Sequence, residues 1–292
     1  MRTGLPMLLQ AAQAGGFAVP CFNVFGFEDA RAVVDEAVSR NAPVILATNR
    51  EMLEFTGLGA TCAMLNALAD EVLTPVCVHL DHCYDVELAC QAVDAGFGSV
   101  MYDGSQLDFD VNVANTRRVV DYAHAAGIGV EGEIGSVAYN ASDNRGREHI
   151  RHELTEPETA ARFAELSGAD AVAVSIGNVH RQKETSDGLD FDRLAAIDAL
   201  VNQPLVIHGT SGITDAELKR LTRGAITKCN IGTSLRQCFG RALRETLAQD
   251  PDEFDRLTIF RGVMPHMRAE AGRYFDLLGA NGTATHLLEK IA

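Results

Sequence analysis

Eight short apolar segments recur along the chain of 292 residues, and segments with helical features lie between them. Each apolar segment has the length of a β-strand, is mostly rich in Val and Ile, and is continuous rather than alternating, which is typical of parallel strands buried on both faces. The eight segments are AVPCFNV (18–24), PVILAT (43–48), VCVHLD (76–81), SVMYD (99–103), GVEGEI (129–134), AVAVSI (171–176), LVIH (205–208) and AITKCNI (225–231). Their alternation with helices predicts an α/β fold.

The intervening segments predict helices at 28–40, 85–95, 108–126, 155–167 and 214–223. The second and third of these helices end at Gly96 and Gly127, and glycine commonly terminates a helix. Thr155 is expected to open the fourth helix. Thr214 opens the fifth, where Glu217 three residues later gives the spacing of a capping box.

Eight strands that alternate with helices in a chain of this length predict one (β/α)₈ TIM barrel, since such barrels need about 250 residues. We expect a single domain over residues 1–292. The additional residues fall in a polar stretch at 135–153 and in a tail beyond Gln249, which is expected to form extra C-terminal helices. The alternative is a doubly wound open sheet, but no GxGxxG motif follows the first strand.

Composition and charge narrow the classes of function. The net charge of −15 argues against a broad nucleic-acid surface, so an anionic substrate would need a local site. No uncharged apolar run approaches the ~18–20 residues of a membrane span. Gln10 and Gln13 interrupt the N-terminal segment where a signal peptide would stay apolar. Seven cysteines without a CxxC pair fit reduced thiols, and we expect a cytoplasmic protein.

Polar and ionisable residues stand at the C-terminal end of nearly every predicted strand. They are Asn23, Thr48, Asp81, His82, Asp103, Glu133, His208 and Asn230, with His180 four residues past the sixth strand. In a barrel these ends converge on one mouth, where the active site lies. A single such residue is usually a satisfied structural side chain, but the repeated placement predicts a shared site.

Three histidines in this set, His82, His180 and His208, come from different strand ends. Three imidazoles with one open position form a catalytic Zn²⁺ site. Asp103 and Glu133 offer hard oxygen atoms nearby. They are expected to hold a second ion or to orient the histidines.

Two glycine-containing turns predict a phosphate site. One is His208-Gly209-Thr210-Ser211-Gly212 after the seventh strand, and the other is Asn230-Ile231-Gly232-Thr233, which follows the eighth strand and opens a helix. Backbone N–H groups at such turns and helix starts bind phosphate, and barrels commonly place a phosphate site after strands seven and eight. The alternative for the first turn is a tight connection with no ligand.

The segments VHLDHCYD, GFGSVMYDGS, VEGEIG, AVSIGNVH, VIHGTSGI and KCNIGTSL resemble the motifs of class II ketose-bisphosphate aldolases, a zinc-dependent group that includes fructose- and tagatose-bisphosphate aldolases. The resemblance runs in order from residue 18 to residue 234. It implies that Asp81 is the proton donor, that His82, His180 and His208 hold the catalytic zinc, and that Asp103 and Glu133 match positions that hold a second divalent or monovalent ion. It also implies that Gly209, Thr210, Ser211, Asn230, Ile231, Gly232 and Thr233 bind the ketose phosphate, and we add Asn23 to this substrate-binding set. A homo-oligomer, dimer or tetramer, is implied by the family only.

The implied chemistry is cleavage between C3 and C4 of a ketose phosphate. The electrons left on C3 need an acceptor, and a metal on the C2 carbonyl and an adjacent hydroxyl oxygen is a suitable Lewis acid. Asp81 would take the C4 hydroxyl proton in cleavage and return it in condensation. No lysine is placed to form a Schiff base.

Three departures from the family pattern limit the assignment of a substrate. Arg181 stands directly after the second zinc histidine, where the family usually has Gly; it either points into solvent or a subunit contact or adds an anion site. The stretch at 135–153 lacks the usual Gly-Gly and acidic motif, so Asp143 and Glu148 are only candidates for the group that exchanges the C3 proton. Gly232 replaces the Asp of fructose-type and the Ala of tagatose-type members.

The sequence thus predicts a zinc-dependent aldolase that splits a phosphorylated ketose or keto acid to dihydroxyacetone phosphate and an aldehyde. Its partner is a small phosphorylated sugar, and neither nucleic acid nor membrane is expected. Two alternatives stay open. One is a metal-dependent epimerase or isomerase that stops at the enediolate, and the other is a non-catalytic sensor that uses the phosphate pocket.

Overall fold

Eight parallel strands close into a barrel in the computed structural model, which describes residues 1–139, 153–182, 188–285 and 287. The strands are β1 (Val19–Asn23), β2 (Val44–Asn49), β3 (Val76–Cys83), β4 (Ser99–Tyr102), β5 (Gly129–Ile134), β7 (Ala171–Val174), β9 (Leu205–Ile207) and β10 (Ile226–Ile231). Two further short strands, β6 (Ala138–Tyr139) and β8 (Val179–His180), pair with each other outside the barrel. The barrel order is β1-β10-β9-β7-β5-β4-β3-β2, which confirms the predicted TIM barrel and all eight predicted strands.

Helices follow the strands and cover the outside of the barrel. They are α1 (Leu5–Gly15), α2 (Phe27–Ser39), α3 (Arg50–Thr56), α4 (Leu58–Asp70), α5 (Val86–Ala95), α6 (Phe109–Ala125), α7 (Pro157–Ser167), α8 (Phe191–Asp198), α9 (Asp215–Thr222), α10 (Thr233–Gln249) and α11 (Arg256–Leu277). The five predicted helices are present, and α11 lies in the predicted C-terminal extension. Helix α11 packs beside the first strand, where the rings of Tyr274 and Phe275 lie 6.2 and 5.7 Å from the ring of Phe22.

Thr214 and Thr155, both predicted to open helices, use their hydroxyl groups differently in the structure. Thr214 caps α9 as predicted, because its hydroxyl accepts a hydrogen bond from the N–H of Glu217 at 3.3 Å. Thr155 does not cap α7, which begins at Pro157. The Thr155 hydroxyl instead donates to the carbonyl of Ile134 at 2.6 Å and accepts from the N–H of Ser175 at 2.8 Å. It therefore joins the ends of two neighbouring barrel strands at the mouth.

The apolar core fills the space between strands and helices, as continuous burial along each strand requires. Among the described residues no single helix is long and apolar enough to cross a membrane. The pair α3 and α4 reaches the necessary length only together, and it is bent by 103°.

Candidate active site

The strand ends converge on an open cavity of about 380 Å³ at the carboxyl end of the barrel. Twelve of the predicted site residues line it: Asn23, Asp81, His82, His180, Arg181, His208, Gly209, Thr210, Ser211, Asn230, Gly232 and Thr233. Asp103 and Glu133 line a smaller cavity of about 70 Å³ that shares His82 and His180 with it. The structure places Ile231 in the hydrophobic core, while Thr48 lies buried outside both cavities. The predicted residues are thus brought to one end of the barrel.

Asp81 and His82 are neighbours on β3, yet both line the cavity. In a regular strand consecutive side chains point to opposite faces. Here the register between β3 and β4 shifts between Leu80 and Cys83, and His82 has a left-handed backbone with φ +47°. A bulge of this kind redirects a side chain. The local irregularity therefore turns both the carboxylate and the imidazole toward the mouth.

The three predicted histidines form a cluster. The ring centroid of His82 lies 4.6 Å from that of His208 and 5.1 Å from that of His180. One ring nitrogen of each histidine lies within 4.8 Å of the other two. This is a donor set of three imidazoles contributed by three separate strand ends.

The hydrogen bonds of these rings define where their lone pairs point. His82 Nδ1 lies 2.9 Å from Asp103 Oδ2, and His208 Nε2 lies 2.8 Å from Glu131 Oε1. A carboxylate only accepts hydrogen bonds, so each of these nitrogens carries the proton. In the neutral rings the remaining nitrogens, His82 Nε2 and His208 Nδ1, carry lone pairs, and they lie 2.9 Å apart with Asn230 Nδ2 at 3.2 Å from His208 Nδ1. Two lone pairs this close repel each other, and a cation between them relieves that repulsion, so the residues present fit a metal such as Zn²⁺.

A second group of possible ligands consists of His82, Asp103 and Glu133. Asp103 is held by His82 and by Ser105, whose hydroxyl donates to Oδ1 at 2.6 Å. Burial and the neighbouring Asp103 carboxylate raise the pKa of Glu133 well above its ordinary value. Its Oε2 is buried without a hydrogen-bond partner in the described part of the chain. An acceptor in this environment fits either a cation or a proton.

Asp81 is held by two amides at the floor of the cavity. Asn23 Nδ2 donates to Oδ2 at 2.7 Å, and Asn230 Nδ2 donates to Oδ1 at 2.9 Å. Burial alone would raise the pKa of Asp81, but the positive charge that His82 and His208 carry when protonated, together with that of Lys228, lowers it below its ordinary range. The carboxylate is therefore ionised at neutral pH and ready to accept a proton.

The two glycine-containing turns contact each other beside the histidines. Thr210 Oγ1 donates to the carbonyl of Asn230 at 2.6 Å, which ties the turns together. Ser211 Oγ is buried without a hydrogen-bond partner among the described residues, and α10 begins at Thr233 on the same cavity wall. An orphaned hydroxyl beside a helix N-terminus suits an anionic group.

Glycine is required at position 209 for two reasons. The residue has a left-handed φ of +65°, and a Cβ atom there would lie 2.7 Å from the carbonyl carbon of Val179 and 3.0 Å from the nitrogen of His180. The missing side chain lets the His180 segment pack on this turn. At Gly232 a Cβ atom would lie 3.1 Å from Asn23 Oδ1, so the small residue there leaves space beside the amide that holds Asp81.

Arg181 lies at the mouth, and its side chain is only 13% exposed. Its Nη2 atom lies 3.5 Å from Oε1 of Glu51, an acid on α3 that the sequence analysis did not identify. Arg181 has a left-handed φ of +56°, a conformation that favours glycine and accounts for the glycine usual at this position in the resembling family. The guanidinium thus borders the cavity rather than extending into solvent.

A buried charged group beneath the cavity was also missed by the sequence analysis. Lys228 Nζ lies 2.8 Å from Glu131 Oε2, and both side chains are fully buried inside the barrel. His79 lies beside them, and its Nδ1 is 2.7 Å from Ser99 Oγ. The sequence did carry a signal for them. Glu131 and Lys228 each stand two residues before a predicted site residue on the same strand, so their side chains share a face of that strand with it.

Asp143 and Glu148, the candidates for C3 proton exchange, lie outside the described residues.

Comparison with known proteins gives a consistent family. Residues 4–283 match the family model described as fructose-bisphosphate aldolase class-II. The YdjI aldolase from Escherichia coli K12 has a similar structure, with 31% sequence identity, a TM-score of 0.84, and coverage of 97% of this chain and 100% of that chain. A fructose-bisphosphate aldolase from Campylobacter jejuni shares the fold at 22% identity, with a TM-score of 0.81 and coverage of 97% and 96%.

Proposed function

This chain belongs to the class II fructose-bisphosphate aldolase family, and from that premise we propose that it is a zinc-dependent aldolase. It cleaves a phosphorylated ketose or keto acid reversibly to dihydroxyacetone phosphate and an aldehyde. Membership supports carbon–carbon lyase activity, and the similar structure with 31% identity is itself named an aldolase. The observation that carries the zinc-dependent mechanism is the 2.9 Å approach of His82 Nε2 to His208 Nδ1 beside the amide-held carboxylate of Asp81.

His82, His180 and His208 would hold the zinc ion. When bound there, zinc supplies a Lewis acid for the carbonyl and the developing enediolate of the substrate. Asp103 and Glu131 fix the tautomers of His82 and His208, so that the other ring nitrogen of each faces the proposed metal position. A second divalent or monovalent ion at Asp103 and Glu133 is part of the same proposal.

The chain's own residues perform the remaining tasks. The turns at 209–211 and 230–233 bind the phosphate of the ketose end, with the hydroxyl of Ser211 as one donor. Asp81 accepts the proton of the C4 hydroxyl during cleavage and returns it to the C4 oxygen during condensation. Asn23 and Asn230 orient the Asp81 carboxylate through its two oxygen atoms. A carboxylate fixed in this way does not have to reorient before it accepts the proton.

Arg181 binds a second anionic group, a phosphate or a carboxylate, at the distal end of the substrate. The phosphate turns hold only the group on the ketose end, and Arg181 borders the same cavity. Its contact to Glu51 is a long one of 3.5 Å with an acid that is 54% exposed. An incoming anion that makes a bidentate contact is expected to compete with this exposed acid for the guanidinium.

A coupled assay for the release of dihydroxyacetone phosphate tests the proposal across a panel of ketose 1-phosphates. The panel includes members with neutral, carboxylate and phosphate tails. We expect release from at least one doubly anionic member, and its loss in Asp81→Ala. Conversion of a ketose phosphate to an isomer without release would favour the epimerase or isomerase alternative. Binding without turnover of any member would favour the sensor.

The expected homo-oligomer and the cytoplasmic location stay predictions. Size-exclusion chromatography with light scattering measures the first, and fractionation of the source cells measures the second. A monomer that carries full activity would contradict the dimer or tetramer implied by the family.

A further inference from the structure

Lys228 is fully buried inside the barrel and does not border the active-site cavity. It lies on β10, and its ammonium group contacts two side chains. Nζ is 2.8 Å from Glu131 Oε2 and donates to Asn230 Oδ1 at 2.6 Å. Because burial of an ammonium group carries a large desolvation penalty, these two contacts must compensate for it.

The contact with Glu131 leads to the proposed metal site. The second oxygen of Glu131, Oε1, lies 2.8 Å from His208 Nε2. Lys228 therefore holds the carboxylate whose other end fixes the proton on His208 Nε2. That proton position leaves the lone pair on His208 Nδ1, which lies 2.9 Å from His82 Nε2.

The contact with Asn230 leads to the acid/base group. An amide has one acceptor end and one donor end. Since Lys228 donates to Oδ1, the Asn230 amide must direct Nδ2 toward the cavity, where it donates to Asp81 Oδ1 at 2.9 Å. The Asp81 carboxylate favours the same orientation, so the ammonium group and the carboxylate hold the amide from its two ends, and loss of the ammonium group leaves only one of them.

We propose that Lys228 is a positioning residue that orients two functional groups at once: His208 through Glu131, and Asp81 through Asn230. The inference rests on the metal site and the acid/base role proposed above. It adds that a residue without access to substrate sets both the affinity for zinc and the rate of proton transfer. Neither effect requires Lys228 to change its charge.

The test compares Glu131→Gln with the double variant Lys228→Met/Glu131→Gln. The double variant removes both charges together, so that no unpaired carboxylate stays buried in the barrel. Lys219→Met is the matched control, because it makes the same exchange on the exposed side of α9. Zinc affinity is measured by competition with a chromophoric chelator, folding by circular dichroism, and kcat and KM at saturating zinc.

We expect Glu131→Gln to weaken zinc binding about 10–100-fold, the range known for outer partners of metal ligands. The double variant should show the same loss and, at saturating zinc, a further fall in kcat of about tenfold or more with KM little changed. The absorption spectrum of the Co²⁺-substituted protein should shift in both variants and stay unchanged in Lys219→Met.

A folded double variant with wild-type zinc affinity, or with wild-type kcat at saturating zinc, would overturn the inference while the proposed function stands. A wild-type protein that binds no zinc would overturn both. If the double variant does not fold, Lys228→Arg decides the matter, because it keeps the buried charge but moves its donors: unchanged zinc affinity and kcat there overturn the inference, and weakened affinity with an altered Co²⁺ spectrum supports it.

Discussion

The carboxylate of Asp81 is fixed in orientation, because each of its oxygens accepts a hydrogen bond from a side-chain amide. Replacement by alanine should leave zinc and phosphate binding intact and reduce C3–C4 cleavage about 10²–10⁴-fold, the usual contribution of a general acid/base. Exchange of the C3 proton of dihydroxyacetone phosphate should survive, since Asp81 serves the C4 oxygen. Cleavage is followed by coupled assay and exchange by NMR in D₂O. Asp81→Asn retains the shape of the side chain, and near wild-type cleavage in either variant would move the role to another residue.

Arg181 determines which substrates are preferred, if it binds the distal anion. A charge-assisted bidentate contact contributes roughly 1.5–3 kcal/mol, so Arg181→Gly should lower kcat/KM for doubly anionic substrates about 10–150-fold and spare a ketose 1-phosphate with a neutral tail. Glycine also relieves the left-handed backbone at this position. Arg181→Lys keeps the charge without the bidentate geometry and should give an intermediate loss.

Glu51 supplies an independent check on the same residue. Glu51→Gln removes the competing carboxylate 3.5 Å from the guanidinium and should lower KM for doubly anionic substrates. Equal responses of both substrate types to Arg181→Gly, or a gain of activity on fructose 1,6-bisphosphate, would contradict a distal anion site.

At the scale of elements, the turn after β9 determines whether His180 can join the other histidines. Gly209→Ala should cost roughly 1–2 kcal/mol for the left-handed backbone, with an added cost because the new Cβ would lie 2.7 Å from the backbone of Val179. The displaced His180 should also weaken zinc binding. Gly127→Ala is the control, since Gly127 has a similar φ of +73° and a Cβ atom there would meet no other atom within 4 Å among the described residues. Urea unfolding and chelator competition measure the two effects, and equal zinc affinity in both variants would contradict this role for Gly209.

The elements that could be predicted from the sequence are those whose burial leaves a continuous signature. Strands buried on both faces are apolar throughout, so all eight were recognisable, and the polar residues at their C-terminal ends indicated the site. Helices α1, α3, α4 and α8 were not predicted: α3 and α8 have only seven and eight residues, and the segments of α1 and α4 are apolar over most of their length, which weakens a helical pattern. The contact between Glu131 and Lys228 was not predicted for a different reason. The two residues lie on strands far apart in the sequence, and they meet only when the barrel brings β5 and β10 together.

For the whole molecule, zinc removal should separate activity from folding. The apolar core between strands and helices does not include the ligand cluster, so exhaustive chelation should abolish activity and retain the far-ultraviolet spectrum. The melting temperature should fall, because a bound ligand stabilises the state that binds it. Added Zn²⁺ should restore both properties and Mg²⁺ should not, since three imidazoles suit zinc and Mg²⁺ prefers oxygen ligands. Full activity in a protein without detectable transition metal would refute the zinc mechanism.

The stability of the metal-free barrel should decrease as the pH falls below about 6.5, and His79 should account for a measurable share. Burial and the charge of Lys228 lower the pKa of His79 to about 3 in the folded protein, whereas an unfolded chain has the ordinary value of about 6.5. Between these values the unfolded state binds the extra proton, so the free energy of unfolding falls with decreasing pH by up to about 1.4 kcal/mol per unit from this group. His208, whose pKa burial also lowers, acts in the same direction.

Carboxylates such as Glu131, whose pKa is lowered to about 2 by Lys228 and His208 against the effect of burial, respond only at more acidic pH. Urea unfolding at pH 7, 6 and 5 with a chelator present also reports on Glu133, whose raised pKa acts in the opposite direction, so the share of His79 is read from the difference between a variant and the wild type. His79→Asn keeps a donor near the Ser99 hydroxyl that His79 Nδ1 now contacts at 2.7 Å, but it cannot titrate. Its free energy of unfolding should fall less steeply between pH 6.5 and 5 than that of the wild type. An identical slope in His79→Asn and wild type would mean that His79 is not protonated on unfolding in this range, and that the buried charges beneath the active site do not control the acid stability of the barrel.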